Sequence, residues 1–82
     1  MKAQVFITPK AGILDPEGLT IGKALKNLGI KGVAEVRMGK FIEMALPNVA
    51  RKQAEKITIE ACDRLLVNTN IEAYRFDIVD ET

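Results

Sequence analysis

Nucleophilic catalysis needs a hydroxyl or thiol beside a base, and this chain of 82 residues contains no His. A Ser–His or Cys–His pair within the chain is therefore excluded, and no imidazole is available to hold a metal. The single thiol, Cys62, has no second cysteine with which to form a disulfide or a CxxC metal knuckle, and a half-buried helical thiol is structural. Glu55, Glu60, Asp63 and Glu72 find no partner at a spacing that makes a general acid or base, and read as solvated charge. Gly18, Gly22, Gly29, Gly32 and Gly39 never assemble a GxGxxG or P-loop pattern. Gly29-Ile30-Lys31-Gly32 has the look of a phosphate loop, but a helix ends before it instead of beginning after it. No catalytic, cofactor or metal site is expected in this chain.

The bulk composition narrows the remaining classes. Twelve Lys and Arg against eleven Asp and Glu leave a net charge of +1, which argues against a surface built mainly to neutralise phosphates. With 48% hydrophobic and 28% charged residues the chain is an ordinary globular one. No stretch approaches 18 apolar residues, so neither a membrane span nor a secretory signal is expected. One lone cysteine fits a reducing compartment, and the expected location is the cytoplasm. A core of this size supplies about 3–5 kcal/mol, so self-association is a natural supplement.

The elements that position these residues follow from periodicity. Ala3, Val5 and Ile7 alternate over residues 2–8 and predict a half-buried strand, closed by Pro9 and Gly12. Asp15-Pro16-Glu17 predicts a helix start, with Asp15 as the N-cap and Pro16 at the first helical position. This helix runs to about Leu28, with Ile21, Ala24, Leu25 and Leu28 on one face, and Gly29 ends it. Residues 33–46 keep one parity throughout: Ala34, Val36 and Met38, then Ile42, Met44 and Leu46. A hairpin turning at 38–40 satisfies this, pairing Val36 with Ile42, and so does one long strand kinked at Gly39. The hairpin opposes Glu35 to Glu43, an unfavourable pair. Asn48 predicts a second N-cap, for a helix from about Val49 to Leu66 with Ala50, Ala54, Ile57, Ala61 and Leu65 on its core stripe. Ile71 to Val79 reads as a last strand carrying Tyr74, Phe76 and Ile78 on one face, and Asp80-Glu81-Thr82 as a polar tail.

The predicted fold is α+β: a two-layer sandwich with an antiparallel sheet and two helices on one face, in β-α-β(β)-α-β order, over a single domain of residues 1–82. Such a fold implies no function by itself. Two features exceed what a self-contained monomer needs. The sheet face away from the helices carries Phe6 and Phe41 among Lys2, Gln4, Glu35, Arg37, Glu43, Arg75 and Asp77, with Phe41 opposite Arg37 in the hairpin geometry. Ile59, Cys62 and Leu66 also form a second apolar stripe on the second helix. Together they predict a protein–protein interface. An RNA-binding sheet would place aromatics where Phe6 and Phe41 lie, but Glu35, Glu43 and Asp77 share that face. A regulatory domain of the ACT type shares the element order, but no ligand-binding motif accompanies it.

Three segments carry a family resemblance: Leu14-Asp15-Pro16-Glu17-Gly18, Val36-Arg37-Met38-Gly39-Lys40-Phe41-Ile42-Glu43, and the run from Leu65 to Phe76 with Asn68-Thr69-Asn70 at its centre. In order, length and spacing the chain resembles the PurS family, the small subunit of phosphoribosylformylglycinamidine synthase, an amidotransferase of purine biosynthesis. The resemblance implies a subunit without catalytic residues that bridges a glutaminase subunit and a large synthetase subunit using ATP and Mg²⁺. It also implies a homodimer or higher assembly. On the matched positions it implies structural roles for Asp15, Pro16, Gly39, Asn68, Thr69 and Tyr74. It implies contact with the synthetase, or an ammonia path, for the charged Arg37, Lys40, Glu72 and Arg75.

Overall fold

The computed structural model describes residues 1–80, so Glu81 and Thr82 of the polar tail lie outside the described residues. Along them run β1 (Lys2–Pro9), α1 (Pro16–Asn27), β2 (Lys40–Ala45), α2 (Arg51–Ala61) and β3 (Glu72–Val79), with a π-helical turn over Cys62–Leu66 continuing α2. The strands form one antiparallel sheet in the order β2-β1-β3. This is the ferredoxin-like α+β order that the periodicity predicts.

Strand β1 is central because both of its edges are used and its inward side chains are apolar. Ala3, Val5 and Ile7 are buried beneath α2, joined by Ala54, Thr58, Cys62 and Val67. Ile42 and Met44 of β2 and Tyr74 and Phe76 of β3 pack around them. Thr58 is accepted in this core because its hydroxyl donates to the Ala54 carbonyl at 2.8 Å, so no polar atom is left unpaired there.

Both readings of residues 33–46 need correction. Ile42 pairs with Val5 and Phe41 with Phe6, so the hairpin, its Glu35–Glu43 pair and its Arg37–Phe41 contact are absent. The strand is also not continuous, since β2 begins at Lys40. The physical stop is Pro9. The β1–β2 ladder matches Ile7 with Lys40, and its next hydrogen-bonded pair would be Pro9 with Met38. Proline has no N–H to give. The Met38 N–H instead donates to the Asp15 carboxylate at 2.8 Å.

The second helix is also displaced from its expected frame. It starts at Arg51, with Ala50 as an N-cap that makes no side-chain bond, while Asn48 takes a left-handed turn at φ 62°. Its buried side is Ala54, Thr58 and Cys62, rotated from the expected stripe. The π-helical turn adds a residue, closed by the Val67 N–H on the Cys62 carbonyl at 3.1 Å. Leu65 is thereby turned out to 82% exposure while Val67 turns in.

Helix α1 does not complete the helical layer within one copy. Asp15 caps it and Pro16 opens it, as predicted, yet Gly18 is its one buried residue. Leu19 and Leu28 are 55% and 75% exposed. Residues 10–39 form an arm leading away from the sheet, and the described chain measures 49 × 31 × 14 Å. Its radius of gyration is 16.2 Å, against about 12 Å for a compact chain of this length.

Candidate interaction site

The three sequence segments that stand out meet at one end of the sheet. Asp15 is the hinge of this end. Its carboxylate accepts from the Gly18 N–H at 2.9 Å and from the Met38 N–H at 2.8 Å, capping α1 and gripping the arm's return path with one group. These two backbone donors, with Arg37 beside them, hold the Asp15 carboxyl below its ordinary range. Close approach makes glycine necessary at two positions. A Cβ on Gly18 would lie 2.2 Å from the Val36 carbonyl oxygen, and one on Gly39 would lie 2.4 Å from that of Ile7.

Arg37 folds back so that its Nη2 donates to the carbonyls of Pro9 and Lys10, the latter at 3.1 Å. Lys40 reaches across the end of β1 to Glu72 at 3.3 Å. Glu72 in turn accepts from the Asn68 N–H at 2.9 Å, and that bond, helped by Lys40, lowers the Glu72 carboxyl's pKa. The Asn68 side chain accepts from the Asn70 N–H at 3.2 Å and its carbonyl from the Ile71 and Glu72 N–H groups, which closes the turn into β3. Thr69 lies in that exposed turn. Tyr74 donates to Asp63 at 3.2 Å, a link absent from the sequence reading; burial and the Asp63 charge raise its phenol's pKa.

Two recesses border this end. One, of about 350 Å³, opens between Asp15, Gly39, Lys40 and Glu72. The other is a cleft of about 580 Å³ between α1 and residues 33–37, walled by Leu14, Leu19, Val33 and Val36 with Lys23 and Arg37 at its rim. On the open sheet face, Phe6 and Phe41 lie 5.0 Å apart, and the Arg75 guanidinium sits 4.0 Å above the Phe6 ring. Arg75 therefore makes the cation–π contact that the hairpin geometry gave to Arg37. Ion pairs of 3.6 Å, Lys2–Glu43 and Arg75–Asp77, flank the aromatic row.

Phe6 and Phe41 thus share an open surface, and Arg37 and Lys40 share the motif-bearing end. Ile59 is exposed, but Cys62 is fully buried and Leu66 packs on the core. The second stripe on α2 is therefore not a surface: Cys62 and Leu66 belong to the side that covers the sheet. Burial, and then Asp63, raise the Cys62 thiol's pKa, which keeps it protonated and unreactive. Among the described residues no cluster of three or more His, Cys, Asp and Glu is placed to hold a metal, and no helix is long and apolar enough to cross a membrane. Of the charged groups at this end, Asp15 and Arg37 are engaged with backbone and Lys40 and Glu72 with each other.

The family model described as PurS, phosphoribosylformylglycinamidine (FGAM) synthase, matches residues 2–80. The chain belongs to the PurS family. It is 39% identical over 75 residues to the PurS subunit of the Synechocystis FGAM synthase, covering 92% of this chain and 75% of that one. The solved structure of Bacillus subtilis PurS superposes with a TM-score of 0.83 at 32% identity, over 96% of this chain and 98% of that one. A chain in the structure of PurLQS from Thermotoga maritima gives 0.85 at 29% identity, over 93% of each. The PurS-family segments named from sequence are the ones that build the motif-bearing end, with Asp15, Gly39 and Asn68 as its joints.

Proposed function

We propose that this PurS-family chain, as a single domain over residues 1–82, is the small non-catalytic subunit of FGAM synthase. The enzyme converts formylglycinamide ribonucleotide, glutamine and ATP to the amidine, glutamate, ADP and phosphate in purine biosynthesis. The observation that supports this reading is the surface: an arm with exposed leucines and an open aromatic face. Its task is assembly. It aligns the glutaminase subunit with the large synthetase subunit so that ammonia passes between them without entering bulk water. Protonated there, ammonia is no longer a nucleophile. In this reading ATP and Mg²⁺ act in the synthetase subunit. The chain also associates with itself, and it works in the cytoplasm with its one cysteine unpaired.

The test is FGAM formation by the other two subunits with and without this chain, using glutamine or free ammonia as the nitrogen source. Glutamine-dependent turnover is expected only with all three subunits, with ammonia-dependent turnover by the synthetase changed little. Equal glutamine-dependent rates without the chain would overturn the reading.

A further inference from the structure

The arm joins the body through two neighbouring stretches of backbone. It leaves β1 by a turn in which the Ile13 N–H donates to the Lys10 carbonyl at 3.1 Å and Gly12 takes a left-handed φ of 85°. It returns to β2 through Gly39. Pairing of Ile7 with Lys40 sets the two stretches side by side at the end of the sheet, and a glycine in each gives the backbone freedom to turn there. On either side of this line the parts are firm. In the arm, Asp15 grips the Gly18 and Met38 N–H groups. In the body, the Lys10 N–H donates to the Ile71 carbonyl at 2.9 Å, and Lys40 pairs with Glu72 at 3.3 Å. Gly18 is the one buried residue of α1, so no fully buried side chain of that helix fastens it to the sheet.

The angle between arm and body is unfilled. The recess of about 350 Å³ has Asp15, Glu17 and Met38 on its arm side and Ile7, Lys40 and Glu72 on its body side. Lys40 and Glu72 pair in register with Ile7 and Pro9, on the sheet face that α2 covers. Closing into the recess therefore carries α1 toward α2, where the helical layer has room for a second helix. We propose that residues 13–38 swing as a lid about Gly12 and Gly39, held open by Arg37 and closed by Glu17 on Lys40. Arg37 spans the line of turning, since its Nη2 donates from the arm to the Pro9 and Lys10 carbonyls of the body. Those bonds set the open angle of this structure and must break as the lid turns. Glu17 stands across the recess from Lys40, whose side chain is 63% exposed and keeps N–H donors to spare after its bond to Glu72. Closure brings the two charges together where water is partly displaced, and their attraction strengthens there. The lid angle decides how the exposed Leu19 and Leu28 of α1 are presented, so exchanging one polar hold for the other selects between two surfaces.

The test is a distance measurement between nitroxide labels on Lys26→Cys, in the arm, and Glu60→Cys, on α2. The native thiol, Cys62, is fully buried and stays unlabelled. The labelled chain is diluted into an excess of unlabelled chain, so that only distances within one copy are read. A second pair, Glu60→Cys with Ala45→Cys, reports two positions of the body. The arm–body pair is expected to show two distances, against one narrow distance for the body pair. Glu17→Gln is expected to lower the share of the shorter distance by about twofold or more, and Arg37→Ala to raise it by a similar factor, the range that exposed polar contacts supply. The opposite signs matter, because a general loosening of the arm would move both variants the same way. A single arm–body distance as narrow as that of the body pair, in the unsubstituted arm and in both variants, would overturn the lid. Two distances that both variants shift in the same direction, or that neither shifts, would overturn Arg37 and Glu17 as its opposing holds.

Discussion

The body and the arm of this molecule use similar side chains to opposite ends. In the body, Val5, Ile7 and Cys62 are fully enclosed between the sheet and α2. In the arm, Leu14, Leu19 and Leu28 are as apolar, yet more than half their surface faces outward. What separates them is the covering layer. The body has one helix over its sheet, and the arm has a helix and an extended segment with nothing over either. The body therefore accounts for the fold of one copy, and the arm for surfaces that an assembly can cover. The enclosed core of the body is one cluster, Val5, Ile7, Cys62 and Val67, with Ile42, Met44, Leu66, Tyr74 and Phe76 packed against it.

The sharpest way to break this comparison is to cut the same chemistry from each region. Ile7→Ala removes a buried side chain and is expected to cost about 2–5 kcal/mol. At about 4–8 °C per kcal/mol for a domain of this size, the fall in Tm is at least roughly 8 °C. Leu19→Ala in the arm is expected to change the stability of the monomer by less than about 0.5 kcal/mol, while reducing assembly with the other subunits. Equal losses of Tm in both variants would erase the distinction.

An intermediate effect belongs to the joint. Gly39→Ala must push the Ile7 carbonyl aside and is expected to cost about 1–3 kcal/mol, with the loss read from chemical denaturation. Gly18→Ala meets the Val36 carbonyl within the arm alone. It should raise amide exchange at Met38 and leave exchange in β1 and β3 unchanged.

Acid sharpens the comparison further. The Asp15 and Glu72 carboxyls are held below their ordinary values by the backbone donors they accept from. Such a group contributes stability that is present above its unfolded pKa and lost as pH falls through its lowered folded value. Titrating downward from about pH 4, the Met38 and Asn68 amides should lose protection before those of Val5 and Ile7, as amide exchange would report. Simultaneous loss would mean that the arm and body open as one unit. An effect smaller than that at the joint is expected on the open face, where Arg75→Ala removes an exposed cation–π contact worth about 0.5–1 kcal/mol. Circular dichroism on heating should show a shift of only a few degrees.

Much of the body and the α1 cap were legible in the sequence because they depend on local rules. Asp15-Pro16 sits where a cap and a first helical residue belong, and Ala3, Val5 and Ile7 alternate without error. The frame of α2 was not legible. A π-helical turn at 62–66 adds a residue without any mark in composition, and Thr58 enters the core through a hydroxyl bond to its own helix. The fate of 33–39 was half legible: parity was preserved, but the stop lay in Pro9, a residue on the partner strand, and the register that brings it opposite Met38 is long-range. Of the site, the segments were visible and their meeting place was not. Arg37 and Lys40 stood out as exposed charges, whereas their carbonyl and carboxylate partners are set by tertiary structure alone.

The central claim, that the body makes the fold and the arm makes the assembly, is tested most directly by hydrogen exchange on the chain alone and within the three-subunit enzyme. The account predicts slow exchange in β1 and the buried side of α2 in both states, with protection gained on assembly in residues 10–39 and on the open face around Phe41. An arm whose exchange is unchanged by assembly, with the gain confined to the outer side of α2, would contradict it.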